Sequence, residues 1–587
     1  MSTNNENLSN KRHSLAHLLA SSVLEMFPDA KLGVGPVIEN GFYYDFLLSR
    51  PLTPEDLPVL EKRMKELAKS KLGFERDEKS FADARSFFEE RNQPFKVELI
   101  DDLEKFGEVQ NVSLYTTGNF IDLCRGGHVE NTSEIEQGSF KLDKISGAYW
   151  RGDQNNQQMQ RIYGIAFDTS DELKAYEAQM IEAEKRDHKK VGKAMGLFTF
   201  SPIVGPGLPL YMPKGAVIRN SLISYITELK EKLGYSFVWT PHLAKEDLYK
   251  QSGHLGKYDA MLPAIDADGD KLVLKPMNCP HHFQIFNAEP HSYRDLPLRL
   301  AENATDYRNE KSGELNGLFR VRSLTQDDTH HFVRHDQIAA EIDMILSLTR
   351  EVYETFGFKN FNVEISVRDP QNKQNYFGED SLWDTAQNAL IDAAKRWGAP
   401  YKVVEGEAAF YGPKIDIRVE DVIGRTWQLT TVQLDYVQPE NFEMEYTADD
   451  GTKQRPAVLH AAIFGSVDRF MGILIEHFGD GLPTWLSPTQ VAIVPVSEKQ
   501  NDYGQKVMDL LKEQVPNLRI ELDTRGESMG KRIREHSKMK VPYILVVGDK
   551  EIEAESVAVR GRKDEDLGTQ KITDFAQSLK EEILNRK

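Results

Sequence analysis

Three segments in the middle of the chain alternate apolar and polar residues with a period of two. They are NFNVEISVR (360–368), PKIDIRVED (413–421) and TWQLTTVQLDYV (426–437). Because successive side chains of a strand point to opposite faces of its sheet, this period predicts antiparallel strands with one buried face and one face open to water. The region from about 195 to 486 is therefore expected to contain an antiparallel sheet.

The chain on either side of this region has a different pattern. Before it, a charged segment ends near residue 190, and Thr169 followed by Glu172 predicts a capping box at the start of a long surface helix. After it, from about 489, strand and helix patterns alternate, which predicts a small open α/β sheet. At 587 residues the chain is long enough for about three or four domains, so the predicted fold class is multidomain α+β and α/β.

Charge and cysteine content exclude several classes of protein. Two cysteines cannot form a disulfide framework, which favours a reducing cytoplasm. The start of the chain lacks a secretory pattern, and no apolar run approaches the ~20 residues that span a bilayer. A net charge of −19 argues against a protein that coats nucleic acid. Residues 525–563 nevertheless carry ten Lys/Arg against six Asp/Glu, which fits either a nucleic-acid contact or solvated helix faces.

A first group of candidate site residues lies in the segments RHSLAHLLA and DLCRGGHVE. His13 and His17 are four residues apart, so a helix places both on one face, and Cys124 and His128 are also four apart. These side chains suit zinc, or a metal-free hydrolytic site in which polar groups orient a water molecule. Two histidines in an apolar core explain the first pair equally well.

A second group consists of arginines. Arg308 and Arg320 flank the loop of YRNEKSGELNGLFRVR and could lie on facing strands of a hairpin, while Arg469 follows a Gly-Ser pair near the start of a helix. Guanidinium groups suit a triphosphate, and Glu310 could accept from a base amino group. A salt-bridged surface hairpin accounts for the same charges. Since no glycine-rich phosphate loop occurs, an ATP site here must rely on arginines.

A series of short motifs follows along the chain: RHSLAHLLA, GPVIENGFYYDF, CRGGH, a helix running into SFVWTP, MNCPHH, YRNE with GLFRVR and TQDD, FYGPKIDI, TVQLDY, GSVDRF and REHSKMKVPYILVVGDKE. Together they resemble class II aminoacyl-tRNA synthetases, and among these the threonyl-tRNA synthetase family. The three motifs typical of the class correspond to the SFVWTP segment, the YRNE–TQDD segment and GSVDRF. The match covers nearly the whole chain.

The resemblance implies ATP-dependent joining of L-threonine to tRNA(Thr) through a threonyl-adenylate, and it assigns site residues. The matching positions are Cys279, His330 and His460 for one Zn²⁺ per subunit; Arg308, Arg320, Arg469 and Lys414 for catalysis; Arg308, Glu310, Arg320, Gln433 and Arg469 for ATP with Mg²⁺; His254, Gln326, Asp328, Tyr411 and Gln428 for threonine; His13, His17, Lys96, Asp122, Cys124 and His128 for editing; and Glu551 and Arg560 for the anticodon.

A zinc ion beside the amino acid would have a physical purpose. An apolar pocket separates threonine from its near-isostere valine by only ~10²-fold, whereas a metal that coordinates the amino and hydroxyl groups requires the hydroxyl. Serine keeps that hydroxyl and lacks one methyl group, so serine errors are expected. The resemblance accordingly implies a second site that hydrolyses seryl-tRNA, generally without a bound metal.

The resemblance also implies an editing domain at 1–165, a linker helix at 166–194, a catalytic domain at 195–486 and an anticodon-binding domain at 487–587, in a form that lacks the N-terminal ubiquitin-like domain of many relatives. A homodimer without membrane attachment is expected.

Three alternatives remain open at this point: a paralogue that adenylates an amino acid without charging tRNA, a zinc-dependent hydrolase or free-standing editing protein, and a non-catalytic RNA-binding regulator.

Overall fold

The computed structural model of the chain describes residues 3–107, 110–153, 155–562 and 565–587. The chain divides into two units, Met1–Ile181 and Glu182–Lys587. Within the described residues, no helix is long and apolar enough to cross a membrane.

The first unit consists of two antiparallel sheets and the helices packed on them. Its helices are α1 (Thr3–Met26), α2 (Asp56–Lys69), α3 (Phe81–Glu90), α4 (Pro94–Phe106) and α5 (Ser170–Arg186), which crosses the unit boundary, and its strands are β1 (Lys31–Leu32), β2 (Val37–Ile38), β3 (Gly41–Leu47), β4 (Glu75–Lys79), β5 (Val112–Thr117), β6 (Phe120–Leu123), β7 (Phe140–Tyr149) and β8 (Gln158–Ala166). The strand orders are β1-β3-β8-β7, with β2 beside β3, and β4-β5-β6.

Helix α1 packs its apolar face against the first of these sheets. Leu15, Leu19 and Val23 are buried in the same core as Phe42 and Phe46 of β3. The predicted capping box begins α5, where the backbone N–H of Glu172 donates to Thr169 Oγ1 at 3.2 Å and that of Thr169 donates to Glu172 Oε2 at 3.3 Å. That prediction is confirmed.

The second unit begins with the elements around the central sheet. Its helices up to residue 477 are α6 (His188–Met195), α7 (Pro213–Lys232), α8 (Glu246–Gln251), α9 (Cys279–Asn287), α10 (Ile338–Thr355), α11 (Asp380–Trp397), α12 (Gln438–Asn441) and α13 (Val467–His477). The strands are β9 (Phe198–Thr199), β10 (Leu210–Tyr211), β11 (Ser236–Phe237), β12 (Leu243–Lys245), β13 (Ile265–Ala267), β14 (Asp270–Leu274), β15 (His291–Ser292), β16 (Leu298–Tyr307), β17 (Ser323–Val333), β18 (Phe361–Val367), β19 (Tyr401–Glu405), β20 (Lys414–Glu420), β21 (Thr426–Asp435), β22 (Tyr446–Thr447), β23 (Lys453–Gln454) and β24 (Ala457–Ala462).

The central sheet has eight strands in the order β11-β16-β17-β24-β21-β20-β18-β19. Its six inner strands are antiparallel, and the three segments with a period of two form the neighbouring strands β18, β20 and β21, so that prediction is confirmed. One face of these strands packs with Ile365, Ile415 and Val432 in the core under α10 and α11. The opposite face carries polar side chains, among them Gln433 and Asp416.

The C-terminal region forms a mixed five-stranded sheet with helices. Its elements are β25 (Val491–Pro495), α14 (Asn501–Gln514), β26 (Ile520–Leu522), α15 (Met529–Lys538), β27 (Tyr543–Val547), α16 (Asp549–Glu553), β28 (Ser556–Arg560), β29 (Asp566–Lys571) and α17 (Ile572–Leu584). The order is β26-β25-β27-β28-β29, parallel among the first three strands and antiparallel beyond. The predicted α/β sheet is present, with α16 and β29 in addition. Lys563 of the basic segment lies outside the described residues.

Candidate active site

Strand register brings together residues that are far apart in sequence. His330 of β17 lies opposite His460 of β24, which lies opposite Gln433 of β21. Cys279 begins α9, and one ligand atom each of Cys279, His330 and His460 lies within 4.8 Å of the other two. All three residues are buried. One thiol and two imidazoles are a donor set that suits zinc with an open position, so the side chains present fit such an ion.

Hydrogen bonds orient both histidines toward that point. His460 Nε2 lies 2.9 Å from Asp435 Oδ2, and His330 Nδ1 lies 2.9 Å from Nδ1 of His282. Nδ1 of His460 and Nε2 of His330 then keep their lone pairs for a metal ion, as in metal sites where a second residue fixes the ring. Burial raises the pKa of the Cys279 thiol well above its usual value, and a cation beside it would favour the thiolate. His282 is a neighbour that is not among the site residues assigned by the resemblance.

An arginine-rich cavity of about 410 Å³ lies on the polar face of the same sheet. It is lined by predicted site residues Arg308, Glu310, Arg320, Gln326, Gln428 and Arg469. The two arginines predicted on facing strands lie just beyond the ends of β16 and β17, in the hairpin's loop. Ser466 accepts from the N–H of Arg469 at 3.1 Å and caps α13, so the cavity also meets a helix N-terminus, which favours anions.

Arg308, Arg320 and Arg469, called the arginine clamp below, are all bound to protein groups. Arg308 Nε donates to the Pro276 carbonyl oxygen at 3.4 Å. Arg469 Nε donates to the Phe319 carbonyl oxygen at 3.0 Å, and Arg320 Nε donates to Glu310 Oε2 at 2.7 Å. Arg320 and Glu310, which are predicted to bind the phosphates and the adenine of ATP, form an ion pair with each other in this structure. A ligand that takes both must separate this pair.

A second cavity of about 260 Å³ contains the Cys/His group. Arg308, Gln326 and Thr431 line both cavities, so the two adjoin. The other predicted residues that line the second cavity are Cys279, Asp328, His330, Tyr411, Gln433 and His460. Burial raises the pKa of Asp328 to about 6.

Two glutamines of β21 lie on the opposite sides from those predicted. Gln433, expected at ATP, lines the Cys/His cavity, whereas Gln428, expected at threonine, lines the arginine cavity. The separation follows from strand geometry, since five residues of a strand span roughly 16 Å. The pairing of Gln433 with His460 fixes which end faces the Cys/His group.

Two further predicted residues lie beside these cavities. Lys414 Nζ lies 2.7 Å from Asp416 Oδ2, and Gln428 Nε2 donates to the other oxygen of Asp416 at 2.7 Å. The His254 ring centroid is 5.8 Å from that of Tyr411, and His254 Nδ1 lies 2.7 Å from Ser252 Oγ. Burial lowers the pKa of His254 to about 3, so its ring is neutral at neutral pH.

In the first unit, α1 and the segment after β6 form a separate polar cluster. One ligand atom each of His13, His17, Cys124 and His128 lies within 4.8 Å of the others. Cys124 Sγ is 3.4 Å from His13 Nε2 and 3.2 Å from His128 Nε2. Burial lowers the pKa of His128 to about 2 and raises that of Cys124 to about 11, so at neutral pH the imidazole and the thiol are both uncharged.

Lys96 and Asp122 form a buried ion pair in the same unit, with Lys96 Nζ 2.6 Å from Asp122 Oδ1. Tyr44 completes the group, because its hydroxyl donates to Asp122 Oδ2 at 2.5 Å and accepts from Lys96 Nζ at 3.0 Å. Tyr44 lies in the GFYYDF segment but was not predicted as a site residue. Only its contacts with Lys96 and Asp122 in the fold identify it as one. The charges of Lys96 and Asp122 act on both His13 and Cys124.

The two residues predicted at the anticodon lie on different elements of the C-terminal region. Glu551 is in α16 and accepts from the Gly548 N–H at 2.9 Å, and Arg560 ends β28, opposite Ile544 of β27. Both are partly exposed.

Three family models match parts of this chain. Residues 261–478 match the class II tRNA synthetase core domain of the G, H, P, S and T type, and 490–582 match an anticodon-binding domain. Residues 112–163 match the second additional domain of threonyl and alanyl tRNA synthetases.

Curated proteins and solved structures show similarity along most of the chain. It is 46% identical over 574 residues to threonine–tRNA ligase of Geobacillus sp. (strain WCH70), covering 97% of this chain and 88% of that protein. It is 47% identical over 575 residues to threonine–tRNA ligase of Acetivibrio thermocellus, covering 98% and 88%. A crystal structure described as the RNA-binding domain of threonyl-tRNA synthetase from Cryptosporidium parvum superposes with a TM-score of 0.64 at 34% identity, over 67% of this chain and 98% of that one.

Proposed function

Because the chain belongs to the threonine–tRNA ligase family of class II aminoacyl-tRNA synthetases, its reaction is the ATP-dependent joining of threonine to tRNA, and we propose that the two adjoining cavities are its adenylation site. ATP, the amino acid and tRNA are its substrates, and ATP is used with a divalent cation. The N-terminal domain is of the type associated with editing.

The observation that carries this proposal is the shared lining of the two cavities. Arg308 lines both the arginine cavity and the Cys/His cavity. In the first step a carboxylate oxygen of threonine forms a bond to the α-phosphorus of ATP, the bond from that phosphorus to the oxygen bridging to the β-phosphate breaks, and pyrophosphate leaves. A cation is therefore needed where the two ligands meet. Arg308 stabilises charge on the α-phosphate there, and Arg320 and Arg469 hold the β- and γ-phosphates with Mg²⁺.

The remaining residues orient the two substrates. Glu310 accepts from the adenine amino group, and Gln428 lies on the ATP side with Lys414 next to it. Gln326, Asp328, Tyr411, Gln433 and His254 surround the amino acid. No general base is required for activation because the threonine carboxylate is already ionised and acts as the nucleophile.

Zinc is proposed at Cys279, His330 and His460, one ion per subunit. When bound, it supplies an open coordination position that selects an amino acid carrying a β-hydroxyl group. Asp435 and His282 hold the two rings in orientation. The proximity and types of the donor atoms support this site.

Editing of seryl-tRNA is proposed for the first unit's polar cluster. His13, His17 and His128 carry uncharged rings, each with one nitrogen that accepts a hydrogen bond and one that donates, so together they can orient a water molecule. The protonated thiol of Cys124 is a poor nucleophile, which supports attack by water. Lys96 and Asp122, held by Tyr44, fix the adjoining polar wall.

We further propose a cytoplasmic homodimer with the four domain boundaries predicted above, and anticodon contacts by Glu551 and Arg560. Exposed apolar side chains in and before the first class II motif in sequence support the dimer: Trp239 is 74% exposed and Ile203 is 98% exposed. Aromatic side chains such as that of Trp239 are enriched in subunit interfaces.

The testing experiment is amino-acid-dependent ATP–pyrophosphate exchange with threonine, serine and valine side by side, and zinc measured in the same sample. We expect strong exchange with threonine, weaker exchange with serine and none with valine. Equal exchange with threonine and valine would contradict selection through the hydroxyl group. The absence of exchange with all three in folded, zinc-loaded protein would contradict the adenylation site itself.

A further inference from the structure

His188 is a buried histidine whose two ring nitrogens are both engaged. It begins α6 and is 1% exposed. The backbone N–H of Leu318 donates to His188 Nε2 at 3.0 Å, so Nε2 carries a lone pair and the ring proton resides on Nδ1. His188 Nδ1 then donates to Glu476 Oε1 at 2.6 Å. One ring therefore links the loop after β16 to the C-terminal end of α13.

Asp187, His188 and Glu476 also lie close enough together to be considered as metal ligands. Asp187 is the N-cap of α6, and its carboxylate accepts from the backbone N–H groups of Lys189 and Lys190 at 2.7 and 3.4 Å. Since Nε2 of His188 is occupied by Leu318, the ring has no lone pair left for a metal. The group is a hydrogen-bonded network instead.

The loop approaches the ring very closely. Gly317 has a φ of +50°, and a Cβ atom there would overlap Nε2 of His188. The ring centroids of His188 and Phe319 are 4.0 Å apart. The Phe319 carbonyl oxygen in turn accepts from Arg469 Nε, and Arg320 is the next residue along the chain. His188 therefore contacts Phe319, and Phe319 in turn contacts Arg469 and is bonded to Arg320, the two arginines proposed to hold the β- and γ-phosphates.

The other end of the network returns to the same loop. Glu476 Oε2 lies 2.5 Å from Arg425, which is also paired with Asp421 at 2.7 Å. Trp427 donates from Nε1 to Asp421 at 2.9 Å, and its ring centroid is 4.4 Å from that of Phe319. Phe319 is therefore held between His188 and Trp427.

We propose that His188 is a positioning residue for the arginine clamp, setting the Leu318–Arg320 loop and, through the Phe319 carbonyl, the guanidinium of Arg469. Its role is to present the clamp to the phosphates of ATP, without contact to either substrate. The inference rests on the proposed function of the arginine cavity.

Two substitutions separate the two hydrogen bonds of the ring. In His188→Gln the side-chain oxygen can reach the Nε2 position and accept from Leu318, whereas in His188→Asn the shorter amide can still donate to Glu476 but leaves the Leu318 N–H without an acceptor. In the exchange assay, we expect His188→Asn to raise the KM for ATP about tenfold, because ATP binding must then restore a loop that has relaxed to satisfy the Leu318 N–H. The KM for threonine should change less than about twofold. His188→Gln should stay within about threefold of the parent.

The controls distinguish loss of positioning from loss of folding. His536, another buried histidine bound to a carboxylate, lies in the C-terminal region, with Nε2 2.9 Å from Asp523. His536→Asn should lower the unfolding temperature to an extent similar to His188→Asn. Unlike His188→Asn, it should leave the KM for ATP unchanged. Equal effects of His188→Gln and His188→Asn, or equal changes in the KM values of both substrates, would overturn the positioning role.

Arg469→Ala serves to test the clamp separately. If it raises the KM for ATP and His188→Asn does not, the inference about His188 fails and the proposed ATP site stands. If Arg469→Ala leaves the KM for ATP unchanged, the clamp itself fails and the role of His188 with it.

Discussion

Asp306 is a buried carboxyl group whose negative charge is only partly offset by nearby cations. It is fully buried in β16, and within the described residues neither of its oxygens has a hydrogen-bond partner. Burial raises its pKa to about 7, against the influence of nearby cations. The charged groups that act on it are Arg308, Asp328, Lys275 and Glu302. A buried acid of this kind is costly to fold in its ionised form.

We expect Asp306→Asn to stabilise the protein at pH 8 relative to the parent and to have little benefit at pH 4. The unfolded chain releases this proton near pH 4 and the folded chain near pH 7, so the parent loses stability as the pH rises between these values, by roughly 4 kcal/mol at most. Urea unfolding at both pH values measures the difference. The exposed Asp266→Asn is the control. A benefit that is the same at pH 4 and pH 8 would contradict the assignment.

At the scale of elements, periodicity predicted two of the strands that carry site residues, β20 and β21, but neither β17 nor β24 nor which residues meet. The period of two located β18, β20 and β21 because it depends only on neighbours in sequence. Cys279, His330 and His460 are separated by 51 and 130 residues, and the contacts of His188 join it to Leu318 and Glu476, so only pairing between distant strands and loops brings them together. The sequence indicated part of the cluster in the first unit, because His13 and His17, and likewise Cys124 and His128, are four residues apart.

Two glycines in helices test whether intrinsic helix propensity or tertiary packing decides the effect of a substitution. Alanine is favoured over glycine in a helix by about 1 kcal/mol. A Cβ at Gly215 of α7 would overlap the Leu197 carbonyl oxygen, whereas a Cβ at Gly530 of α15 would have no atom of the described residues within 4 Å apart from its chain neighbours and its own helix backbone. We expect Gly215→Ala to destabilise the protein by about 1–3 kcal/mol and Gly530→Ala to stabilise it by about 0.5–1 kcal/mol. Calorimetric unfolding measures both, and a stabilising Gly215→Ala would contradict the close approach.

At the scale of the whole molecule, two sets of reactive side chains lie in different units. The cluster of His13, His17, Cys124 and His128 is in Met1–Ile181, and both adjoining cavities are in Glu182–Lys587. They share no residue, and substitutions without common partners generally act independently.

Substitutions in the two units should therefore impair different reactions. Cys279→Ala is expected to abolish threonine-dependent exchange and lower the zinc content, while hydrolysis of preformed seryl-tRNA continues. His13→Ala should reduce that hydrolysis at least about tenfold and leave exchange intact. Both assays on both variants measure this. A fully active, zinc-free Cys279→Ala protein would overturn the metal assignment.

The three residues that line both cavities also have a pharmacological consequence. Since Arg308, Gln326 and Thr431 face both spaces, an inhibitor fragment bound in one cavity lies within covalent reach of a fragment in the other. Joining the two by a short neutral linker makes the second binding event intramolecular, which raises affinity without a new contact. Such a compound should compete with ATP and with threonine at once, so that its apparent inhibition constant should rise with the concentration of each substrate.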